Sequence, residues 1–287
     1  MKSIMIGMLA ETPIHPGAGR SSGFVDLPVA RESITQYPVI VGSSLKGALK
    51  DKAREKWPDK VKKTDGKEDE RKIHPKVAKL FGEQESAGDL VVSDAKLLLL
   101  PVRSLTGHYK WATCPYLIER LRRDVERTAL KDMMDIRRLS AGPEKGTAWA
   151  NDEGRLFLEE REFEVKSKVE DSIRIAIEAL IYHKDTAGRL KKQLIILNDN
   201  DFQWFASYGL QVSARNVLKE ETKKSENLWY EETLSADSLF YTILFERQAG
   251  ALECAKEFLN EQPYLQAGGN ETVGQGWFAM KYVGDWC

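Results

Sequence analysis

Cysteine is scarce in this 287-residue chain: Cys114, Cys254 and Cys287 are odd in number, far apart and never in a CxxC pair. That usage excludes a disulfide framework and a zinc knuckle, and it fits a reducing, cytoplasmic setting. Long hydrophobic runs are also missing. Leu97–Leu100 stops at Pro101, and nothing approaches the roughly 18 apolar residues of a membrane helix, so no membrane role is expected. The opening MKSIMIGMLA is interrupted by Ser3 and Gly7 and lacks a cleavage site, so it reads as a first β-strand rather than a secretion signal. Nor does charge of one sign dominate. With 43 Lys plus Arg against 44 Asp plus Glu, the net charge of −1 excludes an acidic disordered tail and a uniformly basic nucleic-acid binder.

What the chain does have is 42% hydrophobic residues, enough at this length to bury a sizeable core. Its charge is unevenly distributed. Lys46 to Lys79 holds 13 basic and 7 acidic residues, locally +6, which leaves the remainder at −7. Such a stretch is either a solvated face or a surface that gains affinity by displacing counterions from nucleic-acid phosphates. Smaller basic groups are Arg120, Arg122, Arg123 and Arg127 on a predicted helix, and Lys219, Lys223 and Lys224 in a polar stretch.

Periodicity sets the order of elements. Lys2–Glu11 reads as a strand, and Thr12–Leu27, rich in Gly, Pro and Ser, as a long loop of the kind that is often functional. After the extended Pro38–Val41 and a turn, Leu45–Trp57 carries Leu45, Ala48, Leu49 and Ala53 on one helical face, with Ser43 or Ser44 as its N-cap. Lys60–Lys72, within a basic segment at about 58–75, is almost without apolar residues and should be flexible. Leu90–Leu100 reads as a buried strand, Pro115 to about Arg138 as a helix, Arg155–Val165 as a strand and Val169–His183 as a helix. Leu194–Leu197 is a strand, followed by a short helix at Phe202–Phe205 capped by Asp199 or Asn200. Leu210–Leu218 and Leu228–Thr233 form a hairpin pattern about a charged loop. Ser238–Arg247 is a strand, Gly250–Glu261 a helix and Gly276–Val283 a strand. The outer elements run βαβ then βαβ, the split, ferredoxin-like α+β arrangement, with 101–237 as an insertion.

Three motifs carry chemistry. Gly42-Ser-Ser-Leu-Lys-Gly47 opens a helix after an extended segment, so it is either an ordinary serine-capped helix or a helix N-terminus facing an anion, assisted by Ser43, Ser44 and Lys46. It is not a Walker A loop, since Ala48 follows Gly47. Gly268-Gly-Asn-Glu-Thr-Val-Gly-Gln-Gly276 holds four glycines in nine positions, as a tight turn or as a loop that another backbone approaches closely. In the long loop, Asp26 is a carboxylate able to hold a divalent ion or act on a ribose 2′-hydroxyl, and His15 an imidazole able to exchange protons. Loops also carry both residue types for solubility.

Taken together, His15–Glu32 (HPGAGRSSGFVDLPVARE), GSSLKGALK, PVRSLTG at Pro101–Gly107 and the terminal GGNETVGQGW resemble the RAMP superfamily of CRISPR proteins, within it the family of backbone subunit four of type III-B (Cmr) effectors. The likeness runs over essentially the whole chain, as a single RAMP domain of palm, fingers and thumb. It implies a guide-RNA-binding subunit that stacks head to tail with further copies and other complex subunits, and that cleaves target RNA as a metal-dependent endoribonuclease. Asp26 matches the aspartate on which cleavage depends, with Mg2+ or Mn2+ as its metal, in a glycine-rich catalytic loop at 12–32. Ser43, Ser44 and Lys46, with Lys50 and Arg54 along the same helix, match guide-RNA-binding positions; Gly268, Gly269 and Asn270 match the loop beside the RNA path. The hairpin at about Val212–Leu234 resembles the thumb that kinks the guide–target duplex. The competing readings are a non-catalytic RNA scaffold, and a guide-maturing endonuclease of the same superfamily working through His15.

Overall fold

A computed structural model describes residues 2–64, 67–128, 130, 134–139 and 141–284, with backbone alone for 60–71. The first strand, β1 (Ser3–Ala10), is buried from Ile4 onward, as a strand covered on both faces must be. An irregular loop leads to β2 (Val39–Ile40) and α1 (Gly42–Lys56), which buries Leu45, Leu49 and Ala53. Neither Ser43 nor Ser44 is the N-cap, contrary to the expectation from sequence. The cap position is Val41, and the Gly42 N–H instead donates to Asp94 Oδ1 at 2.6 Å. A remote carboxylate thus meets the helix dipole that a local hydroxyl was expected to serve.

Lys60–Lys72, expected to be flexible, holds β3 (Lys60–Thr64) and β4 (Lys67–Lys72), whose backbones pair antiparallel. Backbone hydrogen bonding between two strands needs no apolar side chains, which is why composition gave no sign of it. Then come α2 (Pro75–Phe81), β5 (Gly82–Glu83), β6 (Ser86–Ala87), β7 (Leu90–Val92) and β8 (Ala95–Arg103). The expected Leu90–Leu100 strand is therefore broken at Ser93–Asp94, where Asp94 turns to α1. After β9 (Tyr109–Thr113), α3 (Pro115–Arg127) ends well before Arg138, and residues 129 and 131–133 of the expected helix lie outside the described residues. Next are β10 (Thr147–Ala150), β11 (Arg155–Leu158) and β12 (Arg161–Ser167), the last two being a hairpin where one strand was expected. The expected helix over Val169–His183 is α4 (Asp171–Glu178), followed by a separate α5 (Lys184–Gln193).

The remainder keeps the expected order of elements, with α6 and β15 longer than expected and β17 added. It comprises β13 (Leu194–Leu197), α6 (Asp199–Tyr208), β14 (Gln211–Leu218), β15 (Ser225–Thr233), β16 (Leu239–Glu246), α7 (Ala251–Leu259), β17 (Tyr264–Gln266) and β18 (Trp277–Val283). The cap of α6 is Asn198, whose side chain accepts from Asn200 N, rather than Asp199 or Asn200.

Most strands join one mixed sheet in the order β11-β12-β10-β13-β9-β8-β16-β1-β18-β17, giving an α+β fold with seven α-helices among the described residues. β1 is an interior strand near one end of this order, antiparallel to β16 (Met5↔Ile243) and to β18 (Met8↔Met280). The β14–β15 ladder stands apart from that sheet as an independent hairpin. No described helix is long and apolar enough to cross a membrane, and Cys114 and Cys254 are free thiols; Cys287 lies outside the described residues.

Gly7 fixes how closely the layers pack. A Cβ there would sit 1.9 Å from the Leu180 carbonyl oxygen, so backbone beyond α4 lies directly on β1. Gly7→Ala is expected to lower the unfolding free energy by about 3 kcal/mol, seen as a reduced urea midpoint at unchanged slope. Asp94→Ala, which removes the remote cap of α1, is expected to cost about 1 kcal/mol in the same titration.

Candidate functional site

The long loop after β1 is held against the root of the hairpin by paired backbone and buried charge. Ile14 and Leu234 exchange both backbone hydrogen bonds (3.0 and 2.9 Å), Leu27 N donates to Tyr230 O at 3.1 Å, and Glu232 N donates to Leu27 O at 3.0 Å. The Glu232 carboxylate is buried, and a buried charge must find partners. It accepts from Val29 N at 3.0 Å and from Arg31 Nη2 at 2.7 Å, while Arg31 Nη1 reaches Ala206 O at 2.6 Å at the end of α6.

Asp26 sits on this ladder. Its Oδ2 accepts from Tyr230 N at 2.8 Å, and its carbonyl accepts from Ser21 N at 2.9 Å, closing the turn that begins at Ser21. Oδ1 has no hydrogen-bond partner among the described residues. The carboxylate is thereby fixed by one oxygen and available through the other. It lines a cleft of about 360 Å³ with Arg20, Ser21, Leu27, Asn227, Leu228, Trp229, Glu231 and Asn270.

His15 is placed differently. It is 7% exposed, and its Nδ1 is 2.7 Å from the Glu232 carbonyl oxygen, which can only accept, so Nδ1 carries the proton. It does not line the Asp26 cleft. Its own carbonyl accepts from Gly269 N at 2.8 Å, and a Cβ on Gly268, which has φ +105°, would come within 3.0 Å of that same oxygen. The two glycines thus allow the C-terminal turn to close on His15. Asn270 follows in the left-handed region (φ 63°) and donates through Nδ2 to Glu231 Oε1 and to Gln275 Oε1. Glu231, 2% exposed, also lies 3.5 Å from Arg215 Nε. Asp26 and Asn270, more than 240 positions apart in sequence, therefore share one wall.

Of the five residues expected on α1, Ser43 and Lys46 lie in a second cleft, and Ser44, Lys50 and Arg54 do not line it. Ser43 and Lys46 line about 450 Å³ together with Glu83, Gly88 and Arg247, and this cleft shares no lining residue with the first. Ser43 and Ser44 are exposed, and neither they nor Lys46 has a side-chain hydrogen bond among the described residues. Asp94 already occupies the first N–H of this helix, so an incoming phosphate meets a carboxylate as well as the helix dipole. Lys50 Nζ reaches Gly82 O at 3.5 Å, and Arg54 is paired with Asp51 (2.9 Å) and Asp59 (3.3 Å).

Glu231, Trp229 and Asn227 were missed as cleft residues because hairpin periodicity says nothing about which face meets the distant loop. The signal available was the pair Glu231-Glu232 directly after the apolar run Leu228-Trp229-Tyr230. Adjacent strand residues point to opposite faces, so two consecutive buried carboxylates require partners on both sides.

A model of the RAMP superfamily matches residues 8–279. The chain is 34% identical to the CRISPR system Cmr endoribonuclease Cmr4 of Pyrococcus furiosus, over 96% of this chain and 94% of that protein. Oligomeric Cmr4 from Pyrococcus furiosus superposes with a TM-score of 0.72 at 28% identity, covering 99% of this chain and all of that one. A chain of the type III-B Cmr-beta complex bound to cognate target RNA gives a TM-score of 0.75 at 20% identity, covering 100% and 99%, a likeness of fold alone. Because the matched span takes in the Asp26 loop, the hairpin and the glycine-rich turn alike, the chain belongs to the RAMP superfamily.

Proposed function

We propose that this chain is a guide-RNA-binding backbone subunit of a type III-B CRISPR effector that cleaves complementary target RNA. The observation that carries the reading is Asp26, fixed through Oδ2 and free at Oδ1 in a cleft shared with the glycine-rich turn. The 34% identity to a protein named as an endoribonuclease supports it. Strand order β8-β16-β1-β18 with α1 and α7 supports a ferredoxin-like palm, and the detached β14–β15 hairpin supports a thumb.

In this reading copies assemble head to tail along a guide RNA, an open heterologous arrangement, and base pairing with the guide reads the target. The thumb presents Val212, Leu218, Leu228 and Tyr230 to solvent, an apolar edge suited to parting stacked bases. A target nucleotide unstacked in this way swings its phosphodiester toward Asp26. The 2′-oxygen then bonds to phosphorus as the bond from phosphorus to the 5′-oxygen breaks. Asp26 positions the 2′-hydroxyl, whose proton passes to water, and the departing 5′-oxygen takes a proton from water, leaving a cyclic phosphate and a 5′-hydroxyl. DNA lacks the attacking hydroxyl.

Among the described residues no group of three or more His, Cys, Asp or Glu is placed to hold a metal. Mg2+ and Mn2+ suit oxygen ligands, and Mg2+ in particular is commonly held by one or two carboxylates with substrate phosphates, so Asp26 Oδ1 fits such an ion as a single protein ligand. Bound there, the ion would stabilise negative charge on the reacting phosphate. His15, buried against the Glu232 carbonyl, acts as a strut between loop, hairpin and glycine-rich turn rather than as a proton carrier. Ser43, Ser44 and Lys46 are the guide contacts this reading keeps on α1.

In a reconstituted complex, Asp26→Asn is expected to lower target cleavage by about 100-fold or more while target retention in a gel shift is unchanged. Undiminished cleavage would return the chain to a scaffold role. His15→Ala is expected to lower stability by about 1–3 kcal/mol in urea titration without moving the pH dependence of residual cleavage. A shifted pH profile at full stability would instead mark His15 as a proton carrier.

A further inference from the structure

We infer that Arg20 is a second catalytic residue of the Asp26 cleft, its guanidinium binding the non-bridging oxygens of the phosphodiester that is cut. The inference rests on the Asp26 reading above and goes beyond it by naming the group that receives the phosphate.

The charge inventory of the cleft leads to Arg20. Two carboxylates line it, Asp26 and Glu231, and a phosphodiester brings a third negative charge. Glu231 is already met by Arg215 Nε at 3.5 Å and by the Asn270 amide, so it is largely compensated. Asp26 is met by one backbone N–H and no cation. A phosphate placed for attack beside Asp26 therefore meets protein charge of its own sign, which a cationic side chain would offset together with an ion on Oδ1. Among the described residues that line the cleft, Arg20 is the one cation.

Its neighbours contrast with it. Arg31 is bound to Glu232 and to Ala206 O, and Arg215 to Glu231, whereas Arg20 is exposed and has no hydrogen bond or ion pair among the described residues. Its position follows from the turn closed by Ser21 N to Asp26 O at 2.9 Å, which sets the residue before Ser21 beside Asp26 on one wall. A guanidinium is planar, always charged and forked, which matches two phosphate oxygens in a way an ammonium does not.

Function follows from where charge gathers. As the 2′-oxygen bonds to phosphorus and the bond to the 5′-oxygen breaks, negative charge accumulates on the non-bridging oxygens. A guanidinium bound to those oxygens stabilises that arrangement more than the ground state. Arg20 exchanges no proton in the step; the 2′-hydroxyl proton and the proton gained by the 5′-oxygen follow the paths given above.

The test uses the assembled complex with guide and complementary target, under single-turnover conditions with the complex in excess. Arg20→Ala is expected to slow cleavage about 100-fold with target affinity unchanged. Arg20→Lys, which keeps the charge and loses the fork, is expected to restore part of the rate. A phosphorothioate at the cleaved position, whose sulfur accepts hydrogen bonds poorly, should slow the wild type more than Arg20→Ala, a coupling that a merely structural role would not produce. Cleavage by Arg20→Ala within about twofold of wild type overturns the assignment. So does a loss of cleavage that tracks a loss of target binding, which would make Arg20 an anchor. Asp26→Asn inactive beside a fully active Arg20→Ala overturns Arg20 alone; both variants fully active overturns the reading of the cleft itself.

Discussion

Glu232 is the knot on which the site depends. Its carboxylate accepts from Val29 N and Arg31, its N–H donates to Leu27 O, and its carbonyl accepts from His15. Four points of the long loop are thus tied to one residue of β15. Releasing the loop would strand a buried carboxylate, which costs several kcal/mol in real proteins. A loop rich in glycine and serine would otherwise carry large conformational entropy. Anchored in this way, it can hold the Asp26 carboxylate in one place without a secondary structure of its own.

The same economy joins the two ends of the chain. His15 lies beyond β1, and the glycine-rich turn precedes β18, the strand paired with β1. Pairing of those strands brings the two segments to one end of the sheet. The absence of side chains at Gly268 and Gly269 then lets the turn close on the His15 carbonyl and imidazole. Asn270 is delivered to Glu231 as a consequence, so a backbone requirement fixes a polar cleft. The hairpin supplies the third wall while its far end projects free of the main sheet.

The charge of the chain divides in the same spirit. The total of −1 conceals a basic stretch from Lys46, but the structure engages part of that stretch internally: Lys50 with Gly82 O, Arg54 with Asp51 and Asp59, Lys56 with Glu261 and Lys76 with Glu257. Lys46 stays unengaged in its own cleft, facing a helix start that Asp94 already occupies. Among the described side chains of that stretch, Arg54, Lys56 and Lys76 are held in ion pairs, so part of the basic character legible in composition is spent within the chain.

The order of strands and helices was readable because burial imposes a period of two or 3.6 on local sequence, and β1, α1, α7 and the hairpin followed it closely. The motifs at His15–Glu32 and Gly268–Gly276 were readable because glycine, histidine and aspartate in irregular segments have little packing reason to be there. Several things were not readable. Asp94 replacing a serine cap, the break at Ser93–Asp94, the burial of His15 and the separation of the Ser43–Lys46 cleft from the Asp26 cleft each depend on residues far apart in the chain. Local sequence by itself determined which segments become strands, helices and functional loops. Tertiary structure alone decided which side chains share a cleft, because a charge or polar group finds its partner across space, and its sequence neighbourhood carries no trace of that partner.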